Sequence, residues 1–136
     1  MDISEALGHL ETMHRAVICT RRQDGSPQMS PVSCAVDADG RVVISTRETA
    51  MKVKHIRRDE RVALCVFSDR FFGPWIQVEG TAEIQSLPEA MDGLVDYYRR
   101  VAGDHPNWDE YREAMVKERR VLVRLTVERA GPDVSG

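Results

Sequence analysis

Residues 44–52, Ile44-Ser45-Thr46-Arg47-Glu48-Thr49-Ala50-Met51-Lys52, hold the side chains best suited to chemistry. They read as a strand end, a short loop and the first turn of a helix. Two hydroxyls (Ser45, Thr46), the amides near Ala50 and Met51, and the Lys52 ammonium together suit a phosphate-like anion. Amides at a helix start point outward, and the helix dipole favours negative charge there. A lysine in the first turn opposes that dipole unless an anion sits beside it. The competing reading is an ordinary helix start with a solvated lysine.

Other chemistry is sparse. The chain has no GxSxG, no HExxH and no glycine-rich nucleotide loop. Cys19, Cys34 and Cys65 stand far apart without CxxC spacing, which argues against a disulfide framework or a zinc site. They read as buried small hydrophobes. His9, His14, His55 and His105 are scattered and read as surface or cap residues.

The elements around this stretch follow from hydrophobic period and turn chemistry. Residues 2–14 read as a short helix with Leu7 and Leu10 on one face. Residues 16–20 read as a strand, and Asp24-Gly25 and Asp39-Gly40 as tight turns in an antiparallel meander. Val32, Cys34 and Val36 alternate with Ser33 and Ala35, the mark of a half-buried strand. Residues 42–46 return as the next strand. Thr49 is the expected N-cap of a helix bearing Met51, Val53 and Ile56. Residues 61–67 are apolar on both sides and read as a central strand.

Residues 75–84 are expected to form the longest strand. Ile76, Val78, Ala82 and Ile84 share one face, and Trp75, Gln77, Glu79 and Thr81 the other. That second face must meet water, a ligand or a partner chain. Ser86-Leu87-Pro88-Glu89 reads as a capping box before one helix, and Asn107-Trp108-Asp109-Glu110 before another. Val121, Val123, Leu125 and Val127 mark a last strand, and residues 131–136 a polar end that frays. The fold class is mainly β: a six-stranded antiparallel barrel with short helices, since closure removes exposed strand edges.

At 136 residues with 42% hydrophobic and 30% charged side chains, the chain suits one globular domain over residues 1–136. The apolar runs, such as residues 62–67, fall far short of the ~20 residues that span a bilayer. The start, Met1-Asp2-Ile3-Ser4-Glu5, has no signal-peptide pattern. The expectation is a cytoplasmic protein with no membrane partner. Net charge is −3, so nucleic acid is not an expected partner. Residues 47–61 nevertheless carry six basic side chains against three acidic ones, which suits a small anionic ligand.

Asp24-Gly25-Ser26-Pro27, Ser45-Thr46, Lys52, the run at residues 56–62 and Val78-Glu79-Gly80-Thr81-Ala82 occur in an order that resembles a known family. It is the pyridoxamine-phosphate-oxidase-like (flavin-reductase-like) split β-barrel family, and the resemblance spans about residues 5–128. It implies a Greek-key split barrel and a homodimer with its cofactor at the interface. The oxidase itself carries an arginine and a lysine on the strand after the DGxP turn; Ser30 and Ala35 stand there here. Its C-terminal substrate-binding segment has no counterpart. Pyridoxamine phosphate oxidation is therefore not expected.

Asp96-Tyr97-Tyr98-Arg99, Ala102-Gly103-Asp104-His105, residues 107–112 and Arg119-Arg120-Val121-Leu122 resemble instead the actinobacterial branch that uses coenzyme F420, a deazaflavin. That resemblance implies an F420-dependent oxidoreductase. It passes a hydride from the reduced cofactor to a conjugated small-molecule acceptor: an enone, a quinone or a tetrapyrrole. The alternatives are an FMN-binding reductase or oxidase of the same fold, or a non-catalytic F420 carrier. The resemblance implies that Lys52, Ser45, Thr46 and the amides near Ala50 and Met51 hold the phosphate. The ring would lie along Ser30, Pro31, Val32 and Ser33. Trp75 and Gln77 would come from the partner subunit, where Trp75 reads equally as a dimer-core aromatic. Lys54 and Arg57 would steer the anionic tail. No side chain is assigned as a catalytic group and no metal is expected.

Overall fold

The computed structural model describes residues 1–135, and side chains through residue 132. In chain order the elements are α1 (Ile3–Leu10), β1 (Arg15–Arg21), β2 (Pro27–Ser33), β3 (Ala35–Val36), β4 (Val42–Arg47), α2 (Met51–Arg58), β5 (Arg61–Phe67), β6 (Pro74–Gln85), α3 (Met91–Ala102), α4 (Trp108–Lys117) and β7 (Arg120–Ser135). The strands form one antiparallel sheet in the order β2-β1-β5-β6-β7-β4-β3. This is the expected split barrel.

Its two outermost strands, β2 and β3, are neighbours in the chain, separated only by Cys34. The sheet therefore has to curl until its edges meet at that residue. His14 clips the junction from both sides. Its carbonyl accepts from the Cys34 N–H at 2.8 Å, and its Nδ1–H donates to the Cys34 carbonyl at 2.8 Å.

Inside the curl, Ile18, Ile44, Leu64, Val66, Val78, Val123 and Leu125 form the main core, joined by Ala6 and Leu10 of α1 and Ile56 of α2. Each large aliphatic side chain buried in this way contributes about 1.5–3 kcal/mol. A second core lies outside the curl, where α3 and α4 cover β3, β4 and β7. There Leu94, Val95, Tyr111 and Met115 pack on Ala35, Val43 and Leu122. Val121, Leu122 and Val123 are consequently all buried, because both faces of β7 are covered there.

The outer face of β2, β1, β5 and β6 has no such cover. The register aligns Pro31, Val17, Cys65 and Gln77 in one row and Met29, Cys19, Ala63 and Glu79 in the next. Met29 is 65% exposed.

Several expectations are corrected. The sheet has seven strands rather than six, because the predicted strand through Val32, Cys34 and Val36 breaks at Cys34. Ala35 is buried as well, so the alternation fails at that junction. The first helix ends at Leu10, well before residue 14. The longest strand is β7, with 16 residues, not β6 with 12. Residues 131–135 do not fray: the register pairs Pro74 with Ser135, Trp75 with Val134 and Ile76 with Asp133. Gly136 lies outside the described residues.

Thr49 does not cap α2; Ala50 takes that position without a side-chain bond. Ser86 does not cap α3, since Pro88 and Glu89 delay the helix to Met91. Its hydroxyl instead donates to Glu48 and accepts from Arg57. Asn107 does cap α4, its side-chain oxygen accepting from the Glu110 amide at 3.1 Å.

Of the cysteines only Cys34 is buried, and burial pushes its thiol up to about 12. Cys19 is half-buried and Cys65 exposed, because the outer sheet face is uncovered. His55 is not a surface residue: it is 4% exposed, and its Nδ1 is 3.0 Å from the Thr20 hydroxyl, tying α2 to β1.

β6 and β7 slip register at Glu79/Gly80, and a Cβ on Gly80 would run into the Thr126 carbonyl oxygen. Gly80→Ala is expected to cost at least about 1–3 kcal/mol, as overpacking against fixed backbone does. Urea unfolding would show it as a lower midpoint with an unchanged slope.

Candidate functional site

The split follows from how the sheet closes. Beyond Cys34 the two edges diverge. Among the described residues, β2 pairs only with β1, and residues 44–47 of β4 pair only with β7. Residues 30–33 and 44–47 thus present free backbone edges toward a common gap. Tyr97, on α3, bridges its top, where its hydroxyl donates to the Ser33 carbonyl at 3.0 Å. Burial pushes that hydroxyl's pKa up, opposed by a bond with the Ser45 backbone.

α2 starts at the end of the β4 edge. The Ala50 amide is already taken by the Arg47 carbonyl at 3.0 Å. The amides of Met51 and Lys52 have no backbone acceptor among the described residues, as expected for a first turn. Lys52 is half-buried, and among the described residues its ammonium has no ion-pair partner. Burial lowers its pKa, and the Arg120 charge lowers it further.

Arg120 stands opposite Arg47 in the β4–β7 register. Both reach for Glu118: Arg120 Nη2 at 2.8 Å and Arg47 Nη2 at 3.3 Å. Those two bonds hold the Glu118 carboxyl below the usual carboxylate range. One carboxylate thus serves two guanidiniums, with Lys52 alongside, so the cluster carries a net excess of positive charge.

The pleat separates the two predicted hydroxyls, since successive strand residues face opposite ways. Ser45 is half-buried on the side of α3 and α4, where it lines a recess with Tyr97 and Arg120. Thr46 is 7% exposed and lies on the Ile44 side, toward the barrel interior. The side chains of Ser30 and Val32 are half-buried toward the interior, opposite Ile18 and Ala16, and Pro31 and Ser33 are exposed.

Lys54 is exposed on α2. Arg57 is committed to Glu48 and to the Ser86 hydroxyl at 3.2 Å. Trp75 and Gln77 lie on the uncovered outer face, with β5 and β1 between them and β2. Within one chain they do not join the Lys52 cluster.

Arg120 and Tyr97 are the groups that reading the sequence residue by residue leaves out of the site. Both stand in segments that carry the family resemblance. Their role shows only once the register sets Arg120 beside Arg47 and α3 lays Tyr97 over the split.

Residues 4–132 match the model of the family described as pyridoxamine 5'-phosphate oxidase. The chain is similar to an F420H(2)-dependent biliverdin reductase of Mycobacterium tuberculosis (strain CDC 1551 / Oshkosh). The two are 28% identical over 128 residues, which covers 92% of this chain and 83% of the relative. Among solved structures, a conserved hypothetical protein of Mycobacterium tuberculosis superposes with a TM-score of 0.77 at 25% identity, covering 96% of this chain and 82% of its own. A structure described as an F420 reductase superposes at 0.68 with 23% identity, covering 93% and 94%. The last likeness bears on the fold, which the family match already fixes: this chain belongs to the pyridoxamine 5'-phosphate oxidase family.

Proposed function

We propose that this protein is an F420-dependent oxidoreductase that reduces a conjugated organic acceptor. The observation that carries the reading is the cation cluster of Lys52, Arg47 and Arg120 beside two free strand edges, with one carboxylate among them. Like charges held together in a half-buried place are costly, and an anionic ligand relieves that cost. A cofactor phosphate has that charge, and the Met51 and Lys52 amides would supply its remaining donors. The name of the Mycobacterium tuberculosis relative supports a deazaflavin over a flavin, and supports keeping tetrapyrroles beside enones and quinones as acceptors to test.

When bound, a reduced deazaflavin supplies a hydride; the protein supplies position and electrostatics. Lys52 and Arg120 hold the phosphate end at the start of α2. The backbone edge at residues 30–33 gives a flat ring a strand to lie along. Tyr97 fixes the Ser33 end of that edge and keeps the gap at a set width.

The outer face of β2, β1, β5 and β6 packs against a second copy in this reading. The register aligns Met29, Val17, Cys19, Ala63, Cys65, Phe67 and Trp75 there with no cover from the chain's own helices. Each copy then lends Trp75 and Gln77 to its partner's split. Sedimentation is expected to give a homodimer, and a monomer at micromolar concentration overturns this part.

Titration with F420 and with FMN, followed by tryptophan fluorescence, tests the cofactor. Tight F420 and weak FMN binding is the expected result. The reverse moves the function to flavin chemistry on the same site, and binding of neither removes the reading. Lys52→Ala is expected to lose a charge-assisted bond of about 1.5–3 kcal/mol, roughly ten- to a hundredfold in affinity. Unchanged F420 affinity in that variant refutes the phosphate assignment.

The pH dependence has a definite sign. The free Lys52 is lowered in pKa by burial and by Arg120. A bound phosphate favours its charged form, so binding takes up a proton at alkaline pH. Affinity is therefore expected to fall as pH rises through the lysine's titration, and the fall should vanish in Lys52→Ala.

A further inference from the structure

We propose that the recess beneath the α3–α4 hairpin is the acceptor subsite, and that it takes a flat conjugated carbonyl compound of one or two fused rings. This assignment rests on the oxidoreductase reading for the name acceptor; the recess itself is a geometric observation. Its volume is about 350 Å³, and Ser45, Tyr98, His105, Tyr111, Met115 and Arg120 line it. That volume lies at the lower end of the range for small-molecule pockets. It abuts the split directly, since Ser45 belongs to the β4 edge and Tyr97, another lining residue, holds the β2 edge.

The walls are aromatic. The rings of Tyr98 and His105 lie 5.2 Å apart, Tyr98 and Tyr111 5.0 Å, and His105 and Tyr111 5.6 Å. Trp108 backs them at 5.8 Å from both Tyr98 and His105. Such rings favour a flat π-system in offset or edge contact.

Two polar groups on these walls are uncommitted. The Asn107 amide donates to His105 Nδ1 at 2.9 Å, which puts the neutral ring's proton on Nε2. Neither that Nε2–H nor the Tyr98 hydroxyl has a partner among the described residues. Tyr111, by contrast, spends its hydroxyl on the Leu94 carbonyl at 2.8 Å. Glu110 and Glu118 also line the recess, Glu118 being paired with Arg120. Aromatic walls with two free donors select a ligand with an acceptor oxygen on a flat frame, which describes a conjugated ketone or quinone. The hydrogen bond from His105 positions the carbonyl; no proton transfer is assigned to it.

Chromone and 4H-chromene, its counterpart with a methylene in place of the carbonyl, test the subsite by calorimetry and by the NMR signal of the Trp108 indole. Chromone is expected to bind about tenfold more tightly, the net worth of one hydrogen bond. It should shift the Trp108 signal. His105→Phe keeps the ring and removes the donor, so the preference should disappear while F420 titration of the same variant is unchanged. Tyr98→Phe should reduce the preference and serves should the histidine variant fold poorly. Equal binding of the two probes, or a preference retained in both variants, overturns the subsite. If chromone is preferred through His105 but F420 does not bind, the recess stands as a ligand site and the F420 reading alone falls.

Discussion

The molecule is organised by a conflict at Cys34. The sheet's first and last strands in space are consecutive in sequence, so the chain closes the barrel covalently where a hydrogen-bond ladder would otherwise be needed. One residue cannot pair two strands along their whole length. The edges meet at Cys34, clipped by its two bonds to the His14 carbonyl and imidazole, and then part. Ladder groups left open on residues 30–33 and 44–47 follow directly. Exposed strand edges are ordinarily covered or blunted. Here they are retained beside a cluster of three cations with one carboxylate among them, which is why a ligand is the natural cover.

The turn between α4 and β7 sets that charge in place. Arg119 has a φ of 54°, in the left-handed region that costs a non-glycine residue about 1–3 kcal/mol. The surroundings over-determine it: its amide donates to the Val116 carbonyl at 3.1 Å, and its carbonyl accepts from the Glu48 amide at 2.9 Å. The second bond stitches this turn to the loop that starts α2. The strained residue thereby brings Arg120 level with Arg47 and within electrostatic reach of Lys52. A glycine at residue 119 would relax the backbone and loosen that alignment.

Much of this was legible in the sequence, for identifiable reasons. Alternation over β6 gave its buried face residue by residue, because one side meets the core and the other carries half-buried and polar side chains. The lysine at the start of α2 stood out since it defies the helix dipole. Where local rules failed, tertiary structure had changed the local problem. Ser86 matched a capping box, yet Glu48 and Arg57 claim its hydroxyl. Ser45 and Thr46 look like a pair in sequence, and the pleat sends them to opposite faces. Residues 131–135 read as a polar tail because nothing local reveals that β6 extends to Pro74 to receive them. Arg120 and Tyr97 depend on register and helix placement, which no spacing rule encodes. Ser30, Pro31, Val32 and Ser33 were placed by family resemblance, and the geometry adds the reason a ring would lie there: a strand edge without a neighbour.

The sheet's outer surface divides into two halves with different fates. Over β3, β4 and β7 the chain spends residues 86–119 on two helices, although β6 and β7 are adjacent strands that a tight hairpin could have joined. That excursion buries Val43 and Leu122 and creates the aromatic recess. Over β2, β1, β5 and β6 no element is spent, and Met29, Cys65 and the flank of Trp75 stay bare. A chain that can cover one half with its own helices leaves the other open for an external surface. The second copy proposed above would meet that need symmetrically, since an isologous contact uses the same patch on both chains. The arrangement also divides the labour at the split. In the proposed homodimer the chain's own helices would define one wall, and the partner's outer face, with its Trp75 and Gln77, would supply the other.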